Sequence, residues 1–191
     1  SKIPEDERNI LIIPGDISNT NKEAMFLLKE LKKLFKEIII VTGNHDLYLH
    51  SSSQAHKYKN ISWNRVKEMK EFCLQQNIYL LDGEVIKIND ISFGGLGMTW
   101  DTSYYGFLTR SKPNNSEVLS FFRSYMNDSE YILDGFKPYK VPLAYNGYDI
   151  ISSWNPLKYF EKEYLKLKEI PKVDVMITHY SPVIPENIPL K

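Results

Sequence analysis

Cysteine is nearly missing from this chain of 191 residues. Cys73 stands alone, so no intramolecular disulfide can form and a disulfide-built secreted scaffold is excluded. Its neighbours Phe72 and Leu74 follow a helical pattern, which reads as a small buried hydrophobe. Long apolar runs are missing too, none approaching the roughly 20 residues that span a bilayer. Neither sign of charge is in excess, with 24 Lys and Arg against 24 Asp and Glu, so net charge argues for neither nucleic acid nor a membrane surface. Ser1-Lys2-Ile3-Pro4-Glu5-Asp6-Glu7 holds no basic stretch followed by an apolar one, so no signal peptide is visible and the cytoplasm is the expected location. The start without Met, running almost at once into a strand, gives the expectation that the chain is a fragment of a longer protein. There is no internal repeat and no low-complexity tract. What remains is length enough for one domain with a proper core.

Short β-branched runs and amphipathic stretches are present and alternate. Residues 9–14 read as a buried parallel strand, being short, continuous and β-branched. Residues 21–36 carry Ala24, Leu27, Leu28, Leu31, Leu34 and Phe35 at helical spacing, with Ser18, Asn19 or Thr20 as cap and Glu23 in capping-box register with Thr20. A strand over residues 37–42 completes a strand-helix-strand unit suited to a right-handed crossover. Residues 47–61 are polar and read as a loop. Residues 62–76 present Trp63, Val66, Met69, Phe72 and Cys73 on a helix with Ser62 as its cap. A short strand follows at residues 78–81. Residues 84–88 and 91–95 then form a hairpin about Asn89-Asp90. Residues 101–153 are rich in aromatics without a clean period and read as an insertion or cap, with a helix expected over 117–126. Residues 155–169 return to a helix and residues 173–177 to a strand.

Three strands end in residues that bind cations or move protons. Gly15-Asp16 follows the first, Gly43-Asn44-His45-Asp46 the second, and Thr178-His179 the last. Loops at the carboxyl ends of parallel strands are where open α/β sheets place their chemistry. An acid, an amide and two imidazoles converging on one edge make a ligand set for hard-to-borderline divalent metals. Taken singly, Asp16 also suits a turn or cap, Asn44 a tight turn after Gly43, and His179 a hydrogen-bonded loop position. Their joint order at strand ends favours the metal reading. His50 and His56 read as solvated or packing residues. Trp100 and the pair Tyr104-Tyr105 are either a substrate-pocket lining or packing within the insertion. Asp101 is not read as a ligand.

Gly15-Asp16, then Gly43-Asn44-His45-Asp46, then a strand and His179 resemble the calcineurin-like metallophosphoesterase superfamily. The segment Phe93-Gly94-Gly95-Leu96-Gly97-Met98-Thr99-Trp100 resembles one that many bacterial members carry. The resemblance runs from about Asn9 to Pro182. It implies an α/β fold of the α+β sandwich kind, with two β-sheets flanked by helices, in a single domain over residues 1–191. It also implies hydrolysis of phosphomonoesters or phosphodiesters by a dinuclear metal centre with a metal-bound hydroxide. Two cations about 3.5–4 Å apart need a bridging anion, and Asp16 suits that place. By resemblance, Asn44 and His179 hold the second metal. The resemblance also implies that His45 lies over the substrate and assists the leaving oxygen, a task an imidazole side chain suits. Asp46 orients His45 or its loop. Trp100 is a candidate for the substrate wall.

Two elements common in that superfamily are missing. No Asp-x-His precedes Gly15, and no Gly-His-x-His follows His179. The ligand set is therefore partial, and two expectations compete. The chain is a piece of a complete enzyme, incomplete at both ends, or it is a protein-binding module with a vestigial metal site. Retention of Asp16, Asn44, His45 and His179 together favours the first. Expected cofactors are two divalent ions of the Mn, Fe or Zn kind in the complete protein, and one or none in this chain alone. Expected partners are a phosphorylated small molecule, a nucleotide or a phosphoprotein, with no membrane and no charge signal for nucleic acid.

Overall fold

The computed structural model describes residues 10–97, 128–135, 139–142, 148–151 and 156–179. Ile10–Ile13 forms β1, Glu37–Ile40 forms β2 and Tyr79–Leu80 forms β3, all parallel in the order β1-β2-β3. Ile38, Ile39, Ile40 and Val41 are each no more than 1% exposed. Because side chains alternate across the pleat, such a strand needs an apolar layer on each face.

Helices supply one layer. Asn21–Lys32 forms α1, Ser52–Lys57 forms α2 and Ser62–Gln75 forms α3. Ala24 and Leu28 of α1 and Met69, Phe72 and Cys73 of α3 close over Ile38, Ile40 and Leu80. Thr20 caps α1 as the spacing predicts, its Oγ1 accepting the Glu23 N–H at 3.3 Å while its hydroxyl donates to Glu23 Oε2 at 2.8 Å.

A second sheet supplies the other layer. Val85–Ile88 forms β4 and Ile91–Leu96 forms β5, an antiparallel hairpin. Asn89 and Asp90 have φ of 48° and 68°, the left-handed pair that a type I′ turn requires. Further along come a short helix α4 (Asp128–Tyr131), the antiparallel pair β6 (Tyr139–Pro142) and β7 (Tyr148–Ile151), helix α5 (Pro156–Glu169) and strand β8 (Val175–Thr178). β8 joins β5 in parallel, giving the order β4-β5-β8. Ile39, Val41 and Leu81 meet Ile88, Phe93 and Ile177 between the two sheets. At Gly95 the layers come so close that a Cβ would sit 2.7 Å from Leu81 Cδ1 and 3.0 Å from Val41 Cγ1. The result is a mixed α/β sandwich of two small sheets flanked by helices.

Four local expectations change. The polar stretch 47–61 holds α2, capped by Ser51 Oγ accepting the Gln54 N–H at 3.2 Å. Ser62 does not cap α3: Ile61 takes that position without a side-chain bond. Ser62 instead exchanges bonds with Leu133, its Oγ accepting at 3.0 Å and its N–H donating at 2.9 Å. The buried stripe of α3 runs Ser62, Arg65, Met69, Phe72 and Cys73, with Trp63 and Val66 only half-buried. β1 has a strand partner on one side only among the described residues, and Ile12 is 39% exposed rather than buried. Within the expected insertion 101–153, α4, β6 and β7 are described. The helix expected over 117–126 lies outside the described residues.

Candidate metal centre

Parallel register sets Ile13 opposite Ile40, so the loops leaving β1 and β2 start side by side. They touch at once. Gly15 has φ of 91°, and a Cβ there would lie 2.7 Å from His179 Nδ1 and 2.8 Å from Gly43 Cα. A Cβ on Gly43 would collide with the Asp16 carboxylate. The two glycines are thus demanded by close approach, and in Gly15 also by the left-handed backbone.

Asp46 clips the loops together. Its Oδ2 accepts the N–H of Gly43 at 2.8 Å and of Asp16 at 2.9 Å, and its Oδ1 accepts that of Ile17 at 3.2 Å. Burial pushes its carboxyl above the ordinary range, opposed by the Gly43 and Asp16 N–H groups and the charge of Arg65. Asp46 therefore orients the loops rather than the His45 ring.

Arg65 is fully buried and fixes the same loops from beneath. Its Nη1 donates to the carbonyls of His45 and Tyr48, each at 2.7 Å, and its Nη2 to that of Ser18 at 2.6 Å. Its Nε donates to Asn21 Oδ1 at 2.9 Å. Burial lowers its pKa, with Asp46 opposing. A planar fork of donors is what lets one side chain hold several carbonyls in fixed directions.

Above this base three donor atoms converge. His179 Nε2 lies 3.1 Å from Asn44 Oδ1 and 3.5 Å from Asp16 Oδ2. The other ring nitrogen, Nδ1, is 2.6 Å from the Pro14 carbonyl, which can only accept, so Nδ1 carries the proton and donates. The Asn44 amide is oriented as strictly: its Nδ2 donates to Tyr48 Oη and to Asp128 Oδ1, each at 2.9 Å, turning Oδ1 towards His179. Asp16 Oδ1 accepts the His45 N–H at 2.9 Å, leaving Oδ2 on the side of the imidazole. In the neutral imidazole three lone pairs therefore face one another. The chemistry of the set, one carboxylate, one amide oxygen and one imidazole, fits a divalent metal. Among the described residues no three His, Cys, Asp or Glu side chains group to hold a metal, so the amide completes the set.

His45 stands beside this cluster and not in it. Its Nδ1 lies 2.9 Å from Asn19 Oδ1, and its ring packs 4.6 Å from that of Tyr48. Together with Asp16, Ser18, Asn19 and Glu23 it lines an open recess of about 420 Å³. The exposed His50 rests 4.7 Å from the Tyr131 ring, while His56 sits exposed on α2. Partial desolvation beside Tyr48 and Tyr131 lowers the pKa of His50, aided by the charges of His45 and Arg65. Trp100, Asp101, Tyr104 and Tyr105 lie outside the described residues. Arg65, Tyr48 and Asp128 went unread in the sequence. For Arg65 a signal existed, a cation four residues before Met69 on the inner face of α3, whereas Asp128 carries none.

A two-sheet sandwich with a metal-type donor set on the loops after its parallel strands defines a metallophosphoesterase-like protein. The chain belongs to the calcineurin-like phosphoesterase family, whose model matches residues 1–179. No curated protein matches it. Among solved structures it is similar to phosphopantetheinyl hydrolase from Mycobacterium tuberculosis, with a TM-score of 0.57 and 17% identity. That match covers 93% of this chain and 60% of the hydrolase chain, a likeness of fold. No helix among the described residues is long and apolar enough to cross a membrane.

Proposed function

We propose that the protein is a metal-dependent hydrolase of phosphate esters, with Asp16, Asn44 and His179 as ligands of its metal. The observation that carries this reading is the locked convergence of His179 Nε2, Asn44 Oδ1 and Asp16 Oδ2. A bound divalent cation would supply Lewis acidity towards phosphoryl oxygens and activation of water. Asp16, whose carboxylate is partly exposed beside the recess, would be the group to share with a second cation, and a dinuclear centre would need further ligands besides Asp16, Asn44 and His179. His45, held at Nδ1 by Asn19, is the group that donates a proton to the departing alkoxide. Asp46 and Arg65 keep the loops in register for both.

The recess beside His45 is lined by Ser18, Asn19 and Glu23, polar groups suited to a polar alcohol portion of the substrate. Hydroxyl groups of Ser18 and Thr20 hold the Glu23 carboxyl below its ordinary pKa, so the recess carries a negative charge. The similar fold of a phosphopantetheinyl hydrolase supports phosphorylated small molecules as the substrate class. Residues 1–191 form the catalytic domain, with 101–153 as its insertion. The test is hydrolysis of 4-nitrophenyl phosphate and bis(4-nitrophenyl) phosphate by the full-length protein with Mn²⁺, Fe²⁺ or Zn²⁺. Activity that requires metal and disappears in Asp16→Asn and His179→Ala is expected. Lack of metal-stimulated hydrolysis of either ester overturns the proposal.

A further inference from the structure

Behind Asn44 lies a polar pair that the proposed reaction does not use. Asp128 is 2% exposed and Tyr48 3% exposed. Asp128 Oδ1 accepts from the Asn44 amide at 2.9 Å and also from the Tyr48 hydroxyl, which itself accepts from Asn44 at 2.9 Å. An amide has two ends of nearly equal size and shape, but only its oxygen can ligate a cation. Asp128 as a carboxylate is acceptor-only, and Tyr48 has spent its one proton on Asp128. Both therefore welcome the NH₂ end of Asn44 and repel its oxygen. Turned over, the amide would set oxygen against oxygen at Asp128 and aim its N–H groups at the cation position beside His179.

The carboxylate is delivered from far along the chain by a segment pinned on both sides. Tyr131 O accepts the Leu49 N–H at 2.9 Å, Leu133 O accepts the Ser62 N–H at 2.9 Å, and the Gly135 N–H donates to Asn60 O at 2.8 Å. Within the turn, the Ile132 N–H donates to Asp128 O at 2.8 Å. Asp128 is thus held in place independently of Asn44.

We propose that Asp128, acting with Tyr48, is a positioning pair that locks the Asn44 amide with its oxygen towards the metal. The described segment 128–135 thereby sets the affinity of a site that its own described side chains do not ligate. This inference rests on the reading of Asn44 as a ligand. Removing an outer partner of a metal ligand weakens binding by about 10–100-fold.

The experiment is calorimetric titration of the metal-free full-length protein with Mn²⁺. Asp128→Ala should weaken binding by about 10–100-fold, whereas Asp128→Asn, which keeps an acceptor oxygen, should recover most of it. The decisive variant is the double substitution Asn44→Asp with Asp128→Ala. With oxygen at both ends the side chain at position 44 needs no orientation, so affinity should return towards wild type. A merely structural role for Asp128 leaves the double variant as weak as Asp128→Ala, and that result overturns the proposal. Wild-type affinity in Asp128→Ala overturns it as well. Should that variant not fold, Asp128→Leu fills the same buried space and carries the same expectation. Unchanged Mn²⁺ binding in Asn44→Ala is a separate result, which removes the ligand reading and this inference with it.

Discussion

Asp46 Oδ2 accepts the backbone N–H of Asp16, thirty residues earlier in the chain, at 2.9 Å. Together with the bonds from Gly43 and Ile17 it makes one carboxylate the common acceptor for two loops. Asp46→Ala strands three backbone donors, two of them in the loop that presents Asp16. Hydrogen bonds to charged groups contribute about 1.5–3 kcal/mol each, less when water replaces the partner. A total loss of about 2–4 kcal/mol is expected, read as a lower urea midpoint for the metal-free protein. A midpoint equal to wild type would show that the loops hold each other without the clip.

Arg65 makes the corresponding test from below. Arg65→Lys keeps the charge but offers a point donor in place of a fork, and cannot serve His45 O, Tyr48 O, Ser18 O and Asn21 Oδ1 together. Breaking a buried, hydrogen-bonded ionic group by removing one partner costs about 3–5 kcal/mol, and Arg65→Met should approach that loss, with Arg65→Lys below it. Denaturant titration orders the three proteins, and Arg65→Lys matching wild type would refute the geometric argument.

His45 should separate turnover from metal. Its ring touches Asn19 and Tyr48 and takes no part in the cluster of Asp16, Asn44 and His179. His45→Ala is expected to lower kcat by about 10²–10⁴-fold, the usual share of general acid–base catalysis, while metal content by elemental analysis stays near wild type. Metal lost in step with activity would place His45 among the ligands instead.

Acid sensitivity has a traceable source in Glu68. Burial raises its pKa, but the Lys57 ammonium at 2.7 Å, the Tyr58 hydroxyl at 2.5 Å and the Asn21 amide at 2.7 Å outweigh burial and hold it below the ordinary 4.5. A depressed folded pKa means that the unfolded chain binds more protons in that interval. The contribution of Glu68 is therefore complete above 4.5 and lost as pH falls through the folded value. Because the carboxyl is partly exposed, the effect is a slope and not a collapse. Urea midpoints followed downward through pH 4.5 should fall more steeply for wild type than for Glu68→Gln, and parallel curves would exclude this source.

Local pattern made much of the architecture legible. The strand-helix-strand unit, the Thr20 cap and the Asn89-Asp90 turn follow from neighbours in sequence, and the structure holds all three. Asp16, Asn44 and His179 could be read because each follows a strand that announces itself. α2 could not, because none of its residues is buried and so it has no apolar period to show. Arg65 left a signal, a cation on the inner face of α3, but without its partners in view it looks only like a break in the apolar stripe. Asp128 meets Asn44 across 84 residues, and nothing near either one encodes the other. Ser62 looked like a cap because its true partner, Leu133, comes from a segment with no readable period.

The separation between Asn44 and His179 is 135 residues, and His179 reaches Pro14 across 165. Long-range contacts form late in folding, since the closure entropy of the intervening chain must be overcome first. During synthesis the amino-terminal sheet emerges well before β8 exists. A cation that needs His179 has no complete seat on the ribosome-bound chain until almost all of the described residues have emerged. Sheet and helices therefore come together on the strength of their own apolar layers, and a cation held by Asp16, Asn44 and His179 would find its seat only once β8 has paired with β5.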